Sequence, residues 1–102
     1  MFPEDETAVA ARLWEEHKAA AFPAGLRGQD VAGVDTIMLD ADVAGCIALS
    51  IGNAGTLDSS RREILAQSLA ELDRILPLLA DAEERCYFQR LRDLAAVALG
   101  GT

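Results

Sequence analysis

Basic residues are missing from a third of this chain: between Arg27 and Arg61 there is no Lys or Arg, although Asp30, Asp35, Asp40, Asp42 and Asp58 all fall there. Clustered cations are what a protein places on a phosphate backbone. Their absence, with a sequence pI near 4.4 and a net charge of -8, argues against nucleic acid as a direct partner. Cysteine is scarce too. Cys46 and Cys86 stand far apart among apolar neighbours, which fits buried free thiols and not the dense cysteine framework of a small secreted scaffold. One histidine, His17, and two distant cysteines do not supply the closely spaced ligands of a zinc site. No cofactor is expected.

Long uncharged runs are also lacking. The stretch from Val34 to Ile51 has the length of a bilayer span, but Asp35, Asp40 and Asp42 would each be costly in hydrocarbon. The first residues, Met1-Phe2-Pro3-Glu4-Asp5-Glu6, are acidic and have neither the basic nor the apolar part of a secretory signal. A cytoplasmic location is the expectation.

What the chain does have is apolar residues, 51% of its 102, rich in Ala and Leu. That is enough for one core in one domain, and the two commonest apolar residues are the best helix formers. The reading is a single all-α domain over 1–102, a compact antiparallel bundle of about four helices. The first helix is expected over about 4–21, with acids at its start, Lys18 near its end and Val9, Leu13, His17 and Ala20 along one face widened by Trp14. Pro23 stops it, and a glycine-rich loop follows over 22–34.

The second helix is expected over about 35–51, although Val34, Thr36 and Ile37 could open as a strand. Leu39, Val43, Ile47 and Ile51 recur at helical spacing, and Gly52-Asn53-Ala54-Gly55 gives a stop and turn. The third, about 59–76, carries Leu65, Leu69, Leu72, Leu76 and Leu79 at alternating four- and three-residue steps. Asp58 or Ser59 is its N-cap, and Pro77 interrupts its end. The last helix, about 82–99, starts at Asp81 with Glu84 three residues on, and turns Tyr87, Phe88, Leu91, Leu94, Ala95 and Ala98 inward, with Asp81 and Arg85 spaced for an ion pair.

Candidate chemistry is sparse. Asp40, Asp42, Gly45 and Ile47 match the first, third, sixth and eighth positions of a calcium loop, but Ala44, Ala48 and Ile51 stand where further oxygen ligands are needed. Asp40 and Asp42 read as helix-start or solvent-facing carboxylates. His17, Cys46 and Asn53 are the residue types of a cysteine nucleophile site, yet one of each is what composition alone supplies; His17 reads as half-buried with a backbone or water partner. Gly25-Leu26-Arg27-Gly28 has the form of an RNA-clamping loop without the basic surface that such loops need. Arg61 or Arg62 could pair with Asp58.

The distinctive feature is a seam. In a helix, Ala41, Gly45, Ala48 and Gly52 share one face with almost no side-chain volume, against which another helix can lie close. Either the second helix is central and the leucine-bearing helices pack on this seam, or the seam or the neighbouring ridge of Val43, Ile47 and Ile51 is part of a homodimer or partner interface. The strings Leu39 to Cys46, Gly55-Thr56-Leu57-Asp58 with Arg61 or Arg62, and Tyr87-Phe88-Gln89-Arg90-Leu91 resemble small uncharacterised proteins of high-GC actinobacteria, over about residues 25 to 99. That resemblance implies a fold and a lineage, and no activity.

The functional expectation is a non-catalytic protein–protein interaction module, self-associating as a possible homodimer or docking a larger, basic protein, with Trp14, Asp40, Ala41, Asp42, Gly45 and Ala48 at the contact. The alternatives are an acidic inhibitor or immunity-type protein covering a basic surface with Asp30, Asp35, Asp40 and Asp42, and a small ligand-binding protein or enzyme built on Asp40, Asp42, Cys46 and His17, which requires those side chains to converge on one cavity.

Overall fold

Among the described residues, three helices begin where a short acid takes up free backbone N–H groups. In the computed structural model, which describes residues 6–52 and 56–100, Asp58 accepts from the N–H of Arg61 and Asp81 from that of Glu84. Asp35 Oδ1 likewise accepts from the N–H groups of Ile37 and Met38. The helices are α1 (Glu6–Ala19), α2 (Thr36–Gly52), α3 (Ser59–Ile75) and α4 (Ala82–Ala98). The expected start of the first helix at about residue 4, and residues 53–55 of the expected turn, lie outside the described residues.

The architecture is mostly helical and close to the expected boundaries. Leu76–Leu78 leaves α3 as a 3₁₀ turn, because Pro77 cannot continue the α-helical hydrogen bonding. Arg62 closes the end of α4 by donating to the carbonyl of Leu99. Arg85 does not pair with Asp81: its Nη1 donates to the carbonyls of Leu79 and Ala80, tying the α3–α4 connection to α4.

The loop expected over 22–34 is more ordered than its glycines suggest. Ala24–Leu26 forms a 3₁₀ turn that buries Leu26, so Gly25-Leu26-Arg27-Gly28 is not an open clamp. Two short strands follow, β1 (Asp30–Val31) and β2 (Val34–Asp35), paired antiparallel with Val31 opposite Val34. Ala32 and Gly33 both have positive φ, 50° and 78°, the twist that a two-residue hairpin turn needs. The buried Thr36 hydroxyl sits within 3.4 and 3.5 Å of the carbonyls of Leu26 and Gln29. This fastens the ribbon to the first turn of α2.

Burial is greatest along α4, which packs against α1, α2 and α3. Phe88, Leu91 and Leu94 are completely enclosed there, together with Leu65, Leu72 and Ile75 from α3 and Val43 and Ile47 from α2. Alternate members of the leucine stripe, Leu69 and Leu76, are only partly covered. Among the described residues no helix is long and apolar enough to cross a membrane.

Candidate functional site

Helix α2 has two apolar sides, and the fold uses one. Thr36, Leu39, Val43, Cys46, Ile47 and Ser50 are buried, with Asp40 at the margin of that side. Ile37, Met38, Ala41, Asp42, Gly45, Ala48, Leu49 and Gly52 all face solvent, as does Ile51. A seam packed inside the bundle is therefore the wrong orientation. Burying Leu39, Val43 and Ile47 removes far more apolar surface from water than burying Ala and Gly would, so the larger residues turn inward. Val43 and Ile47, expected as part of an interface ridge, belong to the core.

The outward side remains unusual. Ile37, Met38, Leu49 and Ile51 are between 42% and 55% exposed, and a Cβ built on Gly45 or Gly52 meets no atom within 4 Å. Asp42 is the only charge among these outward positions, where a surface helix ordinarily carries polar and charged residues. The four large side chains flank a smooth strip of hydrogen and methyl groups. Such a strip lets a second helix approach to the close end of the usual 8–10 Å range.

On the other side of α2, Asp40 does not face solvent as its neighbours suggested. Its Oδ1 lies 2.9 Å from His17 Nε2, and Tyr87 donates its hydroxyl to Oδ2 at 2.8 Å. One carboxylate thus joins α1, α2 and α4. His17 is 6% exposed and has a side-chain partner, in place of the backbone or water partner expected for it. Trp14 stacks on its ring at 6.2 Å, Tyr87 tilts against it at 4.7 Å, and Phe22 meets Tyr87 and Phe88 edge-on. Burial, followed by the hydrogen bond to Asp40, raises the Tyr87 pKa above its ordinary value. His17 Nδ1 is buried without a hydrogen-bond partner.

The other proposed site residues do not join this group. Asp42 is exposed, and Cys46 is buried toward α3, where its thiol lies 3.9 Å from the Arg61 carbonyl and burial pushes its pKa up. The set of His17, Asp40, Asp42 and Cys46 thus does not converge: His17 and Asp40 meet toward α1 and α4, Cys46 turns toward α3, and Asp42 faces solvent. Asp40 to Ile51 is continuous helix and cannot wrap a calcium ion as a loop. Among the described residues, no group of three His, Cys, Asp or Glu side chains could hold a metal. Cys86 is exposed, contrary to its expected burial, because it lies on α4 outside the side bearing Phe88 and Leu91.

Of the four acids assigned to a basic target, Asp40 is engaged internally and Asp35 starts α2, while Asp30 and Asp42 are exposed. Asp35 and Asp42, with Glu71 from α3, line a hollow of about 260 Å³. Trp14 is half-covered and packs on the core, with Lys18 5.7 Å above its ring. Sequence reasoning missed Tyr87 as a partner of Asp40. The two are 47 positions apart, and no local pattern connects them.

In comparisons with known proteins, no family model, no curated protein and no solved structure matches the chain.

Proposed function

We propose that the protein is a non-catalytic interaction module that associates with a second copy of itself through the outward side of α2. The observation that supports this is the apolar outward strip from Ile37 to Gly52, whose one charge is Asp42, on a chain that carries 26 charged residues in all (17 acidic and 9 basic). The helices are read as an antiparallel bundle, in keeping with the short α3–α4 connection. A two-fold axis through the strip sets Gly45 and Ala48 of one copy against the same residues of the other, with Ile37, Met38 and Leu49 closing over the sides. A 17-residue helix is about 25 Å long, so the pair buries less than the roughly 1,200 Å² of the smaller stable interfaces. Association is accordingly weak and depends on concentration.

Sedimentation equilibrium at low and high concentration tests this. The mass should rise from 10.9 kDa toward twice that value for the natural sequence and stay at 10.9 kDa for Ala48→Arg, whose long cation occupies the strip without touching the core. A strictly monomeric natural protein at its highest soluble concentration overturns self-association.

The second reading, an acidic protein covering a basic surface, is supported by the hollow that Asp35, Asp42 and Glu71 line. Salt distinguishes the two. Capture by acids weakens as ionic strength rises, whereas pairing of apolar strips persists or strengthens.

A further inference from the structure

The arginines of this acidic chain differ in what holds them. Arg61 pairs with Asp58 and Arg92 with Asp73, while Arg62 and Arg85 donate to backbone carbonyls. Arg90 has none of these. It is half-buried on α4, its guanidinium carbon lies 5.8 Å from the centre of the Tyr87 ring, and its Nε is buried without a hydrogen-bond partner. An aromatic face attracts the positive charge but leaves the in-plane N–H groups without a lone pair. A buried donor in that condition is disfavoured until an acceptor arrives.

The Arg90 side chain borders open space. Arg90 and Cys86 together line two neighbouring hollows, one of about 660 Å³ between α1, α4 and the turn at Leu76–Leu78, the other of about 210 Å³ beneath the end of α1. The larger is within the usual size range of small-molecule sites. Its apolar wall is Leu13, Leu76 and Pro77, and its other cation, Arg85, is already engaged by the carbonyls of Leu79 and Ala80. Glu16 and Asp93 also line it, and the smaller hollow includes Glu83. These acids oppose a ligand of high negative charge.

We propose that the α1–α4 groove binds a small organic monocarboxylate with an apolar tail, its carboxylate on the Arg90 guanidinium and its tail along Leu13, Leu76 and Pro77. A carboxylate presents two coplanar acceptors to the guanidinium fork, and a single charge keeps repulsion from Glu16 and Asp93 small. The site shares no residue with the outward strip of α2, so it stands or falls separately from self-association.

The test is a titration with decanoate, decanol and decyl phosphate, each followed by amide chemical shifts of the whole chain and by the rate at which Cys86 is alkylated. Decanoate should shift the amides of Leu13, Cys86 and Gln89 and slow alkylation of Cys86, while the buried Cys46 stays unreactive. Decanol and decyl phosphate should bind roughly ten-fold or more weakly than decanoate, as should decanoate to Arg90→Gln. Arg90→Lys should fall between, since it keeps the charge and loses the fork. Equal binding of decanol and decanoate, undiminished binding to a folded Arg90→Gln, or no shift with millimolar decanoate overturns the proposal. Should Arg90→Gln fail to fold, the ranking of the three ligands on the natural protein decides it alone.

Discussion

The outward sides of α2 and α3 meet the same solvent with opposite chemistry. On α3 the exposed positions include Arg62, Glu63, Gln67, Asp73 and Arg74, with Ile64 as the large apolar exception. On α2 they are Ile37, Met38, Ala41, Asp42, Gly45, Ala48 and Leu49. Both helices are 17 residues long and both press a row of aliphatic residues into one core. What separates them is therefore not a demand of the fold. Charged side chains give α3 a well-hydrated outer side, and their scarcity on α2 leaves a side that water covers poorly.

The sharpest way to break this comparison is to make one chemical change on each side of α2. Ile47 is 1% exposed and Ile37 43%. Ile47→Ala should lower unfolding free energy by about 3 to 4 kcal/mol, whereas Ile37→Ala, measured in dilute monomer, should change it by less than about 1 kcal/mol. Urea denaturation of both variants is the measurement. Equal losses would mean that the outward side is not outward.

A smaller effect is expected at the carboxylate that joins three helices. Tyr87→Phe removes one of the two hydrogen bonds on Asp40 and should cost about 1 to 2 kcal/mol at neutral pH. Ionisation adds a signature of its own. Because the folded state raises the Tyr87 pKa, the unfolded chain loses this proton first, near pH 10. The contribution is complete below that pH and declines as pH rises beyond it. Stability measured from pH 9 upward should fall with a slope that Tyr87→Phe reduces.

The smallest change sharpens the comparison most economically. A side chain at Gly45 meets open space, so Gly45→Ala in dilute monomer should raise stability by about 0.5 to 1 kcal/mol through helix propensity alone. On α3 no glycine is available for the same gain. If the bare strip serves pairing, the same variant weakens association in concentrated solution while stabilising the monomer.

Much of the helical architecture was legible because its signals are local. Asp58 and Asp81 act within three residues, and the leucine stripe of α3 shows its period in the sequence itself. The ribbon was not, since Ala32 occupies a left-handed position where Asn, Asp or Gly would have announced a turn. Helix α2 was legible as a helix and illegible in its orientation. Periodicity identifies a face only when the opposite face is polar, and here both are apolar. The bond between Asp40 and Tyr87 joins residues remote in sequence, and the groove at Arg90 depends on α1 lying beside α4; neither leaves a local trace.

The shared carboxylate bears on how the molecule opens. Helix α1 rests mainly on α4, and its hydrogen bond to α2 runs through His17 to Asp40. Withdrawing α1 strips Asp40 of one of its two ligands and uncovers the ring of Tyr87 in the same step, so the departure is concerted and gradual fraying from Ala19 is suppressed. The last turn of the first helix should then open as a unit, its amides trading hydrogen with solvent together.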